Sequence, residues 1–341
     1  MARVYLDYNA TAPLRPEARA AMIEAMDLAG NPSSVHAEGR AARGLVERAR
    51  ARVAAAVGAK PQEVVFTAGA TEAASVLARW PGPVRVQDTA HDALWSHRRE
   101  TGEGTAILAM GLANSETGIL TEPPAEREGV LLLDITQAVG RVSFSFAWSG
   151  ADICVMSAHK LGGPKGVGAL IVREGLEIPA LSLGGGQEMG RRSGTENVIG
   201  IAGFAAAADA AMRDQEAGTW TRVEELRNIL ESCLVDSAQE TIFVGKSDRR
   251  LPNTACFITP GWKGETQVMA MDLAGFAVSS GSACSSGKVR ASRVLQAMGF
   301  DADHAACAVR VSLGPATTED DVTRFAKTWA GLHEKHRARV A

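Results

Sequence analysis

The chain has 341 residues, 46% hydrophobic and 22% charged, with a formal net charge of -3, enough to bury two cores and too apolar for a disordered chain. Its 36 basic residues are scattered, so no nucleic-acid footprint is expected, and the longest apolar stretch, 198–208, is far short of a bilayer span. Five cysteines, at 154, 233, 256, 284 and 307, form no CxxC pair, and no apolar leader precedes Asp7; a cytoplasmic protein without a disulfide framework or a protein-only metal site is expected.

An extended segment at 4–8 precedes a helix opened by Pro16, in which Ala18, Ala21, Met22, Ala25 and Met26 recur at helical spacing until Gly30, Asn31 and Pro32 break it. A second amphipathic run spans about 36–57 and ends at Gly58. Short apolar runs then alternate with helical ones. Strands are expected at 64–67, 84–87, 106–110, 130–134, 153–157 and 167–172, buried in a mostly parallel sheet with crossover helices. After about Gln215 come a long polar helix, a strand at 253–258 and a closing helix on which Val322, Phe325, Ala326 and Trp329 share a face. The pattern predicts a large α/β domain over 15–214 and a smaller α+β domain from 1–14 and 215–341. His333 and His336, three apart on the closing helix, read as its solvated face and not as metal ligands.

In open α/β sheets ligands gather beyond the carboxyl ends of the strands, so the residues just past each strand matter most. Lysine is scarce, and Lys160 comes after the 153–157 strand in SerAlaHisLys, ahead of a GlyGlyProLysGly turn. Asp134 closes the 130–134 strand, where a carboxylate needs a cation or a donor; a pyridinium nitrogen satisfies it, as does the amide of a helix start. An acid and a lysine ending different strands are the two parts a pyridoxal site requires, and Gln137 is placed to reach the ring hydroxyl. Gly69, Ala70, Thr71 and Glu72 open a helix after the 64–67 strand; they offer donors to a phosphate, or form an ordinary threonine cap.

Seven ordered motifs then carry a resemblance that runs nearly end to end. They are TyrLeuAspTyrAsnAlaThrAlaPro at 5–13, GlyAsnProSerSer at 30–34, PheThrAlaGlyAlaThrGlu at 66–72, AspIleThrGlnAlaValGly at 134–140, SerAlaHisLys at 157–160, ArgSerGlyThr at 192–195 and SerSerGlySerAlaCys at 279–284. In them the chain resembles the cysteine desulfurases of the NifS/IscS type, class-V aminotransferases of the PLP-dependent transferase (aspartate aminotransferase-like) fold. The resemblance implies pyridoxal 5'-phosphate on Lys160, with Asp134 on the pyridine nitrogen, Gln137 on the ring oxygen and His91 stacked on the ring, shuttling a proton from the substrate thiol. It places Ala70, Thr71, Ser157 and His159 on the phosphate. Thr195 would reach the phosphate of a neighbouring subunit, which implies a homodimer with shared sites. Arg310 would grip the substrate carboxylate, with Asn114 and Ser115 beside the substrate.

The nucleophile implied is Cys284, which lies between Gly281 and Gly287 among serines, a segment too polar to bury it well; Cys154, Cys233, Cys256 and Cys307 read as inert core filler. The implied reaction converts L-cysteine to L-alanine and leaves a persulfide on Cys284 for a sulfur-acceptor or scaffold protein, in iron–sulfur cluster assembly or tRNA thiolation. In some relatives the matching cysteine transiently helps hold an iron–sulfur cluster.

Three departures accompany the match. Relatives carry two consecutive asparagines before GluXaaGly, where this chain reads Asn114, Ser115, Glu116, Thr117, Gly118. The stretch from His91 to Ala113 is short, and Gly162 stands where many relatives have tyrosine. The rival readings are selenocysteine lyase, cysteine sulfinate desulfinase, a class-V aminotransferase, which needs no cysteine at 284, and a non-catalytic partner in sulfur assembly, against which the presence of both Lys160 and Cys284 counts.

Overall fold

The computed structural model describes residues 3–281 and 291–340, so Cys284 lies outside the described residues. Two compact units emerge: a larger one of residues 11–113 and 121–216, and a smaller one of residues up to 10, 114–120 and from 217 onward. The chain enters through Val4–Tyr5 (β1), part of the smaller unit, and then builds the larger.

The larger unit holds six strands: Val64–Thr67 (β2), Val84–Val86 (β3), Ile107–Gly111 (β4), Val130–Asp134 (β5), Ile153–Ser157 (β6) and Gly168–Val172 (β7), in the order β2-β7-β6-β5-β4-β3. Strands β3 to β6 are parallel, and β7 runs antiparallel to both β6 and β2. The reversal has a cause in the connection: only residues 158–167 separate β6 from β7, too few for a crossover helix. Period-two side chains then divide the strands between two cores. Leu131 and Leu133 join Val46, Val53, Phe66 and Phe204 on one face, while Val130 and Leu132 join Leu77, Leu94 and Ile107 on the other.

The first of these faces is covered by the helices Pro16–Met26, Ala37–Val57 and Val198–Glu216, which supply Ala18, Val53 and Phe204 to its core. His36 caps the second of them by accepting the Gly39 amide at 3.3 Å, and Gly58, at φ +64°, ends it in the left-handed conformation. The apolar 198–208 stretch becomes an interior helix whose small residues allow close packing: a Cβ at Gly203 would sit 2.6 Å from Met22 Cγ. No helix among the described residues is long and apolar enough to cross a membrane.

In the smaller unit, Ile242–Phe243 (β8), Thr254–Ile258 (β9), Ser279–Ser280 (β11) and Ala308–Ser312 (β12) form an antiparallel sheet ordered β11-β12-β9-β8, and Phe276–Ala277 (β10) pairs with β1. Residues 114–120 belong here through backbone bonds from Leu120 N to Arg249 O (2.8 Å) and from Leu251 N to Gly118 O (2.7 Å). On the closing helix, Glu319–Val340, the stripe Val322, Phe325, Ala326 and Trp329 is buried. His333 is a correction to the sequence reading: it is 4% exposed, not solvated. It lies four residues beyond Trp329 on the same stripe, and its ring stacks on Trp329 (centroids 5.1 Å) and on Trp262 (5.6 Å), with Nε2 3.4 Å from Glu240. His336 stacks on Trp262 at 5.2 Å. No cluster of metal-ligating side chains occurs among the described residues.

Candidate active site

Asp134 lies opposite Val155 in the β5–β6 ladder, so the carboxylate ending β5 and the turn after β6 share the carboxyl edge of the sheet. Asp134 is half-buried, and its Oδ1 accepts the Thr136 amide at 2.9 Å. Gln137 is buried, and its Oε1 accepts from Arg141 Nη1 at 2.6 Å. Arg141 Nη2 donates in turn to the carbonyl of Lys160 at 3.0 Å. Arg141, passed over in the sequence, thus ties the glutamine to the backbone of the lysine. Arg141 thereby fixes which way the Gln137 amide faces, with its oxygen toward the guanidinium. Lys160 closes the 3-10 turn Ala158–Lys160. Beyond it Gly162 has φ +88°, and a Cβ there would come within 2.5 Å of Arg15 Cγ, so the arginine side chain covers this position.

The turn after β2 is pinched by close approach. A Cβ at Gly69 would lie 3.3 Å from Ser157 Oγ, and one at Gly168 would lie 2.6 Å from Gly69 Cα. The Ala70 amide donates to Ser157 Oγ at 2.7 Å, and the exposed Thr71 stands next, in the first turn of the short helix Ala70–Ala74. His159 Nδ1 is 3.1 Å from Thr11 Oγ1. Burial, aided by the charges of Lys160 and Lys165, pushes the His159 pKa down to about 4, so the ring is a neutral hydrogen-bonding group at physiological pH. Arg192 bonds Glu72 at 3.0 Å, docking the 192–195 segment on the same short helix, with Thr195 exposed. His91 is exposed beyond β3 and caps Asp92–Trp95; its Nδ1 accepts the Ala93 amide at 3.1 Å, so the neutral ring carries its proton on Nε2.

In the smaller unit Arg310 sits at the centre of β12, 3% exposed. Its Nη2 pairs with Asp7 Oδ1 at 2.7 Å, and its Nη1 donates to the Ser115 carbonyl at 3.0 Å. Asp7 Oδ2 accepts from Ser279 Oγ at 2.9 Å. Asn114 folds over its own backbone, Oδ1 accepting the amides of Glu116 and Thr117 at 2.9 Å each, and so presents the Ser115 carbonyl to Arg310. Asn9 Nδ2 reaches that same carbonyl at 3.1 Å. Asp7 and Asn9 were missed in the sequence, although both lie inside the motif at 5–13. Cys154, Cys256 and Cys307 are buried, with thiols held in the protonated, unreactive form; burial pushes that of Cys256 up to about 12. Cys233 is half-buried against the smaller unit's core.

Tested against pyridoxal phosphate, the donor set of the larger unit fits. It holds an acid for a protonated ring nitrogen, a buried glutamine amide beside it, a lysine in the turn after the neighbouring strand, and an amide–hydroxyl pair squeezed by glycines that leave room for a phosphate. Such a site on a mostly parallel sheet defines a pyridoxal-phosphate enzyme of the aminotransferase-like class. Residues 4–91 and 84–325 match the profile of the family described as aminotransferase class-V. A cysteine desulfurase of Gluconacetobacter diazotrophicus is 36% identical over 99% of this chain and 95% of its own length. The cysteine desulfurase IscS of Dictyoglomus turgidum is 33% identical over 98% of this chain and 95% of its own. A solved NifS-like protein superposes with a TM-score of 0.87 at 29% identity, covering 97% of this chain and 99% of the other. The chain belongs to the class-V aminotransferase family, alongside the NifS/IscS-type cysteine desulfurases.

Proposed function

We propose that this protein is a pyridoxal-phosphate-dependent cysteine desulfurase, a cytoplasmic homodimer with shared sites that converts L-cysteine to L-alanine and leaves the sulfur on Cys284 for an acceptor or scaffold protein of iron–sulfur cluster assembly or tRNA thiolation. One observation carries the reading: Asp134 and the Lys160 turn share one sheet edge, joined through Gln137 and Arg141, in a chain whose full-length relatives bear that activity's name. When bound, pyridoxal phosphate supplies an electron-withdrawing ring that makes the substrate Cα–H acidic. Asp134 would hold the proton on its ring nitrogen, and Gln137 would face its ring oxygen. Ala70, Thr71, Ser157 and the neutral His159 hold the phosphate, and Thr195 reaches the phosphate of the neighbouring subunit. Lys160 Nζ would hold the cofactor and would take the proton from the substrate Cα.

Arg310 binds the substrate carboxylate. His91 would cover the ring and relay the proton of the substrate thiol; because Nδ1 already accepts the Ala93 amide, taking up that proton requires the cap bond to open. The Cys284 thiolate attacks the substrate sulfur, the carbon–sulfur bond breaks, and the carbon gains a proton. Enzyme thiol plus cysteine thus becomes enzyme persulfide plus alanine, with no external oxidant. The direct test is an assay of the holoenzyme with L-cysteine and a reductant. Alanine and sulfide in equal amounts are expected from the native protein, none from Lys160→Ala, and a yellow but transfer-dead protein from Cys284→Ala. Full sulfur transfer by either variant contradicts the assignments.

A further inference from the structure

The substrate-binding role of Arg310 meets a second fact. The guanidinium is already held by the protein, at one Nη by the Asp7 carboxylate (2.7 Å) and at the other by the Ser115 carbonyl (3.0 Å). Both holders are themselves fixed. Asp7 accepts from Ser279 Oγ through its other oxygen, its backbone carbonyl takes the Tyr5 hydroxyl at 3.1 Å, and its backbone bridges to Ser312. The Ser115 carbonyl is shared with Asn9. A third donor differs: Arg310 Nε is buried and has no hydrogen-bond partner among the described residues. A guanidinium has five donors in one plane, so two anchors at its Nη groups set that plane and with it the direction of Nε. A buried donor left unmade is costly unless an acceptor arrives to meet it. A substrate carboxylate is such an acceptor.

We propose that Asp7 is the positioning residue of the substrate-carboxylate site: it supplies the countercharge that keeps Arg310 buried before substrate arrives, and aims the guanidinium so that its unpaired Nε edge receives the carboxylate. The inference rests on the proposed roles of Arg310 as carboxylate binder and of L-cysteine as substrate. Asp7 itself does not touch the substrate, so its loss weakens capture of the carboxylate and leaves the chemistry after capture in place. A merely structural ion pair behaves differently, because its loss disturbs binding of any ligand equally.

The test compares native, Asp7→Ala and Asp7→Asn holoenzymes by KM and kcat for L-cysteine, and by the competitive inhibition constant of cysteamine, which keeps the thiol and amine but lacks the carboxylate. Asp7→Ala is expected to raise KM about tenfold while kcat stays within about threefold and the cysteamine constant within about twofold. Asp7→Asn keeps an acceptor oxygen, so it restores most of the effect, with KM raised about threefold. A KM within about twofold of native in Asp7→Ala overturns the inference, as does a parallel rise of the cysteine KM and the cysteamine constant. If Asp7→Ala does not fold, an unchanged KM in Asp7→Asn overturns it equally. A native enzyme that makes no alanine from cysteine refutes the desulfurase reading itself; one that does, with no KM effect at Asp7, refutes only the role given to Asp7.

Discussion

His159 shows how burial selects a protonation state. Its ring sits beside Lys160 and Lys165, and protonation falls from the usual 6.5 to about 4. As pH drops through that window the unfolded chain takes up a proton that the native chain refuses, so the native state loses stability between about 6.5 and 4 and loses nothing through this residue above it. His159→Gln, which cannot titrate, is expected to flatten that part of a plot of Tm against pH. Equal slopes in the two proteins contradict the assigned state. What the sequence disclosed at this scale was local: Lys160, Asp134, Gln137 and Ser157 stand in short motifs whose neighbours announce strand ends. The Asp7–Arg310 pair joins positions 303 apart, which no periodicity can reveal. Arg141 was within reach, since it stands one helical turn after Gln137, but an arginine there reads as solvent-facing until its carbonyl partner on Lys160 is seen.

Among the elements, the turn at Gln187–Gly190 depends most on one side chain. Glu188 and Met189 occupy left-handed backbone at φ +49° and +58°, which is unfavourable for residues other than glycine. The compensation is electrostatic. Glu188 receives both Nη groups of Arg50 at 2.6 and 2.9 Å and the Phe66 amide at 2.8 Å, pinning the turn to β2 and to the helix Ala37–Val57. Both side chains are buried, and without Glu188 the Arg50 guanidinium keeps only the half-exposed Glu47 at 3.3 Å as a charge partner while the Phe66 amide loses its acceptor. Glu188→Ala should lower the free energy of unfolding by about 3–5 kcal/mol in a urea titration; a loss below about 1 kcal/mol contradicts the pinning role. The larger sheet was legible because most of its strands are short, continuous apolar runs bounded by turn residues, and the boundaries moved by a single residue at β3, β4 and β7. Strand β12 escaped because AlaValArgValSer places a charge at its centre, and β8, β10 and β11 because two residues carry no period.

For the molecule as a whole, two units have separate cores, the larger carrying the residues proposed to hold the cofactor and the smaller carrying Arg310, the proposed carboxylate binder. The proposed sharing of sites makes the assembly measurable. Sedimentation equilibrium is expected to give twice the 35.8 kDa chain mass, and Thr195→Ala to loosen pyridoxal phosphate by about tenfold while leaving that mass unchanged. A monomer with full cofactor affinity contradicts shared sites.

The central claim concerns one nitrogen. Reduction of the yellow holoenzyme with borohydride and subsequent peptide mapping should place the entire pyridoxyl label on the peptide that contains Lys160. Label on any of the other lysines, or a protein that takes up no label, contradicts the account.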